Sequence, residues 1–361
     1  MSIPSIAMIP SGYKANKVYS VLPTDGSGDL DFARTTKATR VNQNGLIEEV
    51  LTGVPRLDYT DGGCPSLLLE PASTNLITRS EAFDNAYWAK SGATVTSGFS
   101  APSVDSPLGA FKLVEDASNG AHRVSKTSLA SGASASTDFT YSIIAKKDDR
   151  DFILLKTVIN GQSVTVNVWF DLANGVLGTQ TNGTGKIESL ANGFYRCSAS
   201  FSTDATATSV NVYAYLADSD NSENYQGDGT SGVYIFASQL EQQSSATSYI
   251  PTAGTTISRT ADSASKSGIS SLINSSQGVL YAEMAALSDE SFRVISISDG
   301  TSSNRIWLYY STATNSISIY DGSNVYTTNT VNRLNFNKIA VVYDNVSTRL
   351  YINGIELGSI P

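Results

Sequence analysis

Short runs of alternating residues, separated by turn signals, constrain the fold of this chain more than any other feature of its sequence. The run 209–217 (SVNVYAYLA) places apolar residues on one side and Asn211, Tyr213 and Tyr215 on the other, which is the period of a β-strand. Turn signals such as Asn-Gly separate the runs at the spacing typical of sandwiches and jelly rolls. Further runs lie at 141–147, 151–159, 164–172, 193–201 and 232–241. The sequence therefore predicts an all-β fold with a jelly-roll sandwich in this region.

The chain is long enough for several modules. Its 361 residues suit two or three domains, and 40% hydrophobic with 16% charged residues is a globular composition. Residues 1–75 contain few regular runs, so we expect an irregular N-terminal segment there. We expect a jelly roll over 76–262, a Ser- and Ala-rich linker over 263–277, and a second sandwich over 278–361.

The second sandwich is expected to be incomplete. Six strand-like runs follow the linker, and a sandwich of this type should need more strands. We therefore expect the native chain to continue beyond Pro361. The six runs lie at 278–287, 291–299, 304–312, 316–322, 336–344 and 348–357.

Charge and apolar patterning exclude several classes of partner. The net charge is −9 and no run of basic residues occurs, so a nucleic-acid backbone would be repelled. The longest apolar runs have the length of strands, which predicts no membrane insertion. The N-terminus lacks the pattern of a cleaved secretion signal.

Catalytic and redox signatures are sparse. Cys64 and Cys197 lie too far apart in sequence to suggest a disulfide framework or a zinc site. His122 is the single histidine, and no nucleophile motif occurs. We expect no enzyme, although paired carboxylates among 33 acidic residues would suffice for a glycan-cleaving one.

Two neighbouring runs present aromatic and amide side chains on one face. The run 209–217 contributes Asn211, Tyr213 and Tyr215, and the run 164–172 contributes Asn167 and Trp169. Such a face suits a pyranose ring, which stacks its C–H groups on an aromatic ring while its hydroxyls form hydrogen bonds. These residues are our carbohydrate-binding candidates. Alternatively, the same aromatic rings pack against the N-terminal segment or a neighbouring subunit.

An acidic loop at 217–232 is a candidate calcium site, and calcium is the one cofactor that the sequence suggests. Its oxygen-bearing side chains are of the type that Ca²⁺ prefers, but their spacing matches no defined calcium loop. A solvated turn is the alternative. The candidate ligands are Asp218, Asp220, Asn221, Glu223 and Asp228.

One stretch near the end of the predicted jelly roll resembles a known family. The pattern comprises Gly227-Asp228-Gly229, Gln239-Leu240-Glu241, Thr247 to Thr252 (TSYIPT), Arg259 and Ala261-Asp262. It resembles the closing stretch of a carbohydrate-binding-module-like jelly roll of bacteriophage virion fibre and spike proteins. The sequences GVLYAEM and KIAVVYDNVSTRLYING, both within 278–361, resemble a concanavalin A-like, laminin-G-like sandwich.

The resemblance implies a structural component of a virion, such as a head fibre, tail fibre, spike or decoration protein on the virion surface. Residues 1–75 would then anchor it to capsid or tail proteins or begin a homo-oligomer, for which a trimer is the implied form. The sandwiches would bind host glycans weakly and multivalently. Two alternatives are a glycan-cleaving tail enzyme and a purely architectural protein.

Overall fold

The protein is built from β-strands. The computed structural model describes residues 3–60, 62–130, 137–162, 164–287, 293–301, 303–311, 315–329 and 331–361. These ranges hold 32 strands and two single-turn 3₁₀-helices, Ala191–Gly193 and Ser270–Leu272, so the predicted all-β class is confirmed. Within them, no helix has the length and apolar character needed to cross a bilayer.

The chain divides into two compact units. The jelly-roll unit comprises residues 9–19 and 30–265, and the C-terminal unit comprises the residues up to Met8, 20–29 and 266–361. The jelly-roll unit therefore extends beyond the predicted range 76–262 and takes in most of the N-terminal segment.

The N-terminal segment is more regular than its sequence suggested. Its Asn44-Gly45 turn joins β4 to β5, and Gly45 has the positive φ of 73° that favours glycine. Most strands of this segment are too short to hold a core of their own. The strands are β1 (Ala7–Lys14), β2 (Lys17–Leu22), β3 (Leu30–Ala33), β4 (Ala38–Val41), β5 (Ile47–Val50), β6 (Arg56–Asp58), β7 (Ser66–Leu68) and β8 (Ser73–Asn75).

The jelly roll consists of two six-stranded antiparallel sheets, with orders β10-β11-β22-β14-β19-β18 and β17-β16-β15-β20-β13-β9. Its strands are β9 (Ala89–Ser91), β10 (Ala93–Phe99), β11 (Ala110–Glu115), β12 (Asn119–Gly120), β13 (Arg123–Leu129), β14 (Asp138–Lys147), β15 (Phe152–Asn160), β16 (Val164–Asp171), β17 (Val176–Thr181), β18 (Thr184–Ser189), β19 (Tyr195–Ser202), β20 (Ser209–Ala217), β21 (Tyr225–Gln226) and β22 (Gly232–Glu241). Val168 and Val212 lie in the core and Trp169 and Tyr215 on the opposite face. The alternation predicted for β16 and β20 is confirmed.

A bulge in β22 breaks the alternation that its sequence suggests. Ala237 has a φ of 48° at the point where the register between β14 and β22 shifts, and the extra residue moves the following side chains to the other face. Ile235 and Leu240 are an odd number of positions apart, which would place them on opposite faces of a regular strand. Because of the bulge, both face the main core, while Phe236 packs on the outer side.

The predicted linker begins with paired backbone. Strand β23 (Ile257–Arg259) pairs with β8, and β24 (Ser263–Ser265) pairs with β3. The end of the jelly-roll unit is thus hydrogen-bonded to its beginning. Residues from Lys266 onward belong to the C-terminal unit.

The C-terminal unit contains two four-stranded sheets, β25-β30-β31-β32 and β26-β27-β28-β29, around a core of its own. The described part of 278–361 contains eight strands where six were predicted, because β29 lies outside the predicted runs and the run 348–357 contains a hairpin at Asn353-Gly354. The shortage of strands behind the expected incompleteness is not observed. The strands are β25 (Gly278–Met284), β26 (Arg293–Ser298), β27 (Arg305–Tyr310), β28 (Ile317–Tyr320), β29 (Val325–Thr328), β30 (Asn337–Tyr343), β31 (Thr348–Ile352) and β32 (Ile355–Ile360).

Candidate functional site

The predicted carbohydrate-binding residues lie on the outer face of the sheet that contains β16, β15 and β20. Register places them in rows across the strands. One row runs Trp169, Leu154, Tyr215, and the adjacent row runs Asn167, Lys156, Tyr213. The sequence therefore identified one continuous surface, but the two rows differ in their access to solvent.

The row with Trp169 is covered. Trp169 is 4% exposed and Tyr215 is 1% exposed. The indole Nε1–H of Trp169 donates to the backbone oxygen of Ser222 at 3.1 Å, and Glu223 reaches over the same face to the Lys156 ammonium at 2.6 Å. The loop after β20 thus lies on these rings, so neither ring offers a free face to a sugar.

The acidic loop therefore covers the aromatic face, and its carboxylates form hydrogen bonds or ion pairs with other residues of the protein. Asp220 accepts hydrogen bonds from the backbone N–H and the hydroxyl of Thr179, both at 2.8 Å. Asn221, with a φ of 60°, forms part of the turn. Asp218 accepts a long hydrogen bond of 3.4 Å from the Ser219 hydroxyl.

Asp228 lies in a different turn from the other calcium candidates. It accepts hydrogen bonds from the backbone N–H groups of Thr230 and Ser231 at 2.8 and 2.7 Å. Across the described ranges, no group of three or more His, Cys, Asp and Glu side chains is arranged to hold a metal ion. Calcium binding stays a prediction that these positions do not favour.

The row with Tyr213 remains partly exposed. Tyr213, Lys156 and Asn167 are all partly buried side chains on three adjacent strands, which are about 4.8 Å apart. The carboxamide oxygen of Asn167 is buried and has no hydrogen-bond partner among the described residues. Asn211 differs, because it is 8% exposed and its oxygen accepts the Ser128 backbone N–H at 2.8 Å.

Arg123 packs against the rings of Tyr213 and Tyr215 at the edge of this face. Its guanidinium carbon lies 5.1 Å from the ring centroids of both Tyr213 and Tyr215, and it donates to the Tyr215 hydroxyl. Burial raises the pKa of Tyr215 to about 12, so this hydroxyl stays protonated at neutral pH. The face therefore combines the partly exposed Tyr213 ring with the cations of Arg123 and Lys156.

Arg123 and Lys156 were missed by the sequence analysis. Both lie in strands whose apolar residues predict the core face, whereas the polar residues between them carry no separate signal of a binding surface. Their positions opposite Tyr215 and Tyr213 depend on strand register, which one sequence does not provide. The alternation of β15 alone would have placed Lys156 on the outer face with Leu154.

Two residues of the motif behind the virion resemblance, Arg259 and Asp262, belong to a buried ion cluster in the jelly-roll unit. We define the cluster as Arg34, Arg56, Glu70, Arg259 and Asp262, whose side chains are at most 3% exposed. Arg56 contacts Glu70 at 2.7 Å and also pairs with Asp262. Arg34 contacts Asp262 at 3.1 Å, and Arg259 lies 3.4 Å from Glu70.

Other residues of the motif form hydrogen bonds that fix the chain segment after β22. Thr247 donates its backbone N–H to Glu241 at 3.0 Å, and Gln239 accepts the Ile250 backbone N–H at 2.7 Å. Tyr249 shares a hydrogen bond of 2.6 Å with the Ser80 hydroxyl. These contacts hold the chain that leaves β22 against the sandwich, which gives the quoted motif a structural reason.

Comparisons with known proteins identify no family. No protein-family model and no curated protein matches the chain. Among solved structures, it is similar to the CBM22-1–GH10 modules of a Clostridium thermocellum endo-1,4-beta-D-xylanase 10B complexed with xylohexaose. The identity is 11% and the TM-score 0.30, over 50% of this chain and 30% of that one. The chain thus spans less than a third of that structure, and a likeness this low supports no argument about what the chain binds.

Proposed function

We propose that this chain is a structural protein of a bacteriophage virion, in a head or tail fibre, spike or decoration, and that its jelly roll binds host-surface glycans weakly. The virion part rests on the sequence resemblance of the closing motif. The glycan part rests on one observation, the partly exposed row of Asn167, Lys156 and Tyr213 beside the loop that covers Trp169.

The chemistry of this row suits a sugar. The Tyr213 ring is held between strands and by Arg123, so it loses little conformational freedom when a pyranose stacks on it. The Lys156 ammonium supplies hydrogen-bond donors on the adjacent strand, next to the partly buried side chain of Asn167. Two interstrand spacings of about 4.8 Å separate Asn167 from Tyr213, a distance that one or two sugar rings span.

Weak binding at one site is sufficient in a multivalent particle. A homo-oligomer, such as the proposed trimer, presents several copies of the row, and linked copies gain avidity by factors of about 10² to 10⁴ without any new contact. The proposed location on the virion surface follows from this use.

A glycan array probed with the full chain tests the glycan part, followed by saturation-transfer NMR on the best sugar. We expect Tyr213→Ala to abolish the signal and Asn167→Ala to lower affinity about five- to tenfold, because each removes a direct contact. Tyr281→Ala is the matched control, since Tyr281 is 58% exposed in the other unit. Equal binding by all three variants would disprove the glycan site.

The same samples separate the two alternative functions. A glycan-cleaving enzyme would release reducing ends from the bound sugar, whereas the proposed binding protein would not. The burial of Trp169 and Tyr215 favours a purely architectural protein, which would give no array signal. Mass spectrometry of purified phage particles tests the virion part, and absence of the chain from the particles would refute it.

A further inference from the structure

The C-terminal unit contains a cavity between two turns. One turn is the segment 332–336 before β30, and the other is the hairpin of β31 and β32 at Asn353-Gly354. The cavity has a volume of about 440 Å³, which lies within the range of about 300–1,000 Å³ of small-molecule sites. We define the Phe336 cavity by a floor of Val331 and Ile352 and a rim of Asn332, Asn335, Phe336 and Ile355.

Two asparagine side chains hold the walls of the Phe336 cavity in place. The Asn337 carboxamide donates to the backbone oxygens of Asn332 and Asn335 at 2.9 and 2.8 Å. The Asn353 side chain accepts the Lys338 backbone N–H at 3.0 Å and donates to the Asn337 side chain at 3.2 Å. Because these hydrogen bonds join both turns, the cavity is preformed, which lowers the conformational cost of binding a ligand.

The floor of the cavity is apolar and its rim is exposed. Val331 and Ile352 are each 5% exposed and belong to the core of the C-terminal unit. On the rim, Phe336 is 45% exposed and Ile355 is 65% exposed. In the part of the chain that the structure describes, the Phe336 ring stacks against no other ring and no cation. The cavity therefore combines an exposed aromatic ring with an apolar depression.

The polar groups of the rim are uncharged carboxamides. The Asn335 side chain is exposed and forms no hydrogen bond with another described residue. The Asn332 side-chain oxygen accepts the Leu334 backbone N–H at 3.1 Å. No ionisable side chain occurs among the described residues that line the cavity. The lining therefore suits an uncharged ligand that offers a small apolar group beside a hydrogen-bond donor and an acceptor.

We propose that the Phe336 cavity binds neutral sugars that carry an acetamido group. The acetamido methyl group contacts the floor at Val331 and Ile352, and the acetamido N–H and C=O form hydrogen bonds with the Asn335 carboxamide. The C–H face of the sugar ring stacks on Phe336. A sugar with a hydroxyl in place of the acetamido group loses the methyl contact and these hydrogen bonds. The site is separate from the jelly-roll row, so either can fail without the other.

Saturation-transfer NMR on the full chain provides the first test. The probes are triacetylchitotriose and cellotriose, which share their linkage and differ in the acetamido groups, each at millimolar concentration. We expect the strongest saturation at the acetyl methyl protons and about tenfold weaker binding of cellotriose, because one buried methyl group and one hydrogen bond together account for such a factor. Equal affinity for the two probes, or no saturation of the acetyl methyl protons, would overturn the proposal.

Variants then locate the binding. Phe336→Ala should lower affinity for triacetylchitotriose about tenfold and Asn335→Ala about fivefold, whereas Phe336→Tyr retains the ring and should bind like the unaltered chain. Val346→Ala is the matched control, because Val346 is 81% exposed in the same unit and lies outside the described lining. Tyr213→Ala affects only the jelly-roll row and should leave this binding intact.

Two results with these variants would contradict the proposal. Binding that is lost in Tyr213→Ala and retained in Phe336→Ala would belong to the jelly-roll row instead. A Phe336→Ala chain with an altered oligomeric state would make the cavity an interface between copies of the chain.

Discussion

The buried ion cluster predicts that Asp262→Asn destabilises the jelly-roll unit strongly. Asp262 pairs with Arg34 and Arg56 and accepts the Glu70 backbone N–H at 2.9 Å, and its side chain is 0% exposed. The asparagine has nearly the same shape, so the substitution removes the charge and leaves packing almost unchanged.

The magnitude follows from the charges that remain. With Asp262 neutral, Glu70 is the one carboxylate of the cluster against three guanidinium groups. Removal of one partner from a buried pair costs about 3–5 kcal/mol, because the other charge stays buried without compensation. This is a large fraction of the about 5–15 kcal/mol that typically stabilises a folded protein.

Urea unfolding followed by tryptophan fluorescence measures this loss. A Trp307→Phe background restricts the signal to Trp88 and Trp169, both in the jelly-roll unit. Asp149→Asn is the matched control, because Asp149 is 57% exposed and its contact with Lys112 at 3.1 Å lies at the surface. Such a pair contributes at most about 1 kcal/mol.

Two results would refute this reasoning. The first is an Asp262→Asn chain whose free energy of unfolding lies within about 1 kcal/mol of the control. The second concerns the double variant Asp262→Asn/Arg34→Met, which removes the cation whose ion-pair partner in the cluster was Asp262. We expect it to recover part of the lost stability, and an additive loss would show that the charge imbalance is not the cause.

Three further predictions concern pH, thiol chemistry and a turn. Burial would raise the pKa of Glu70, but the charges of Arg56 and Arg259 outweigh burial and lower this pKa from 4.5 to about 2. The ionised Glu70 therefore adds about 3 kcal/mol to the free energy of unfolding. This contribution is fully present above pH 4.5 and is lost as the pH falls toward 2. Urea titrations across this range should detect the loss, and Glu70→Gln should flatten it. Burial raises the pKa of the Cys197 thiol far above its ordinary value, so a disulfide reagent should titrate only the exposed Cys64 in native protein and both thiols in urea. Gly354→Ala should cost about 1 kcal/mol in calorimetry of the C-terminal unit, because its φ of 87° strains any side chain.

The sequence predicted which side chains of a strand share a face, but not which loop covers that face. Alternation alone placed Tyr213, Tyr215 and Trp169 on one surface, and the structure agrees. The loop that buries two of these rings has no periodicity, and its position depends on hydrogen bonds such as those of Asp220 with Thr179, which are remote in sequence.

Local backbone geometry caused the other differences. The bulge at Ala237 places a residue with positive φ inside a strand, and no side chain with a preference for that conformation marks it. The hairpin at Asn353-Gly354 did carry a sequence signal, because Asn-Gly is the preferred dipeptide of such turns. It was overlooked because apolar residues continue on both sides of the turn.

The pairing of β3 with β24 brings residues that are far apart in sequence into one sheet. The pair is antiparallel, with Asp31 opposite Ser265 and Ala33 opposite Ser263, and β2 pairs with the other edge of β3. The ion pair of Arg34 with Asp262 lies next to this ladder. A nascent chain that ends before Asp262 lacks both one partner strand of β3 and a carboxylate of the buried ion cluster. The jelly-roll unit therefore cannot complete this sheet until residues 262–265 have been synthesised.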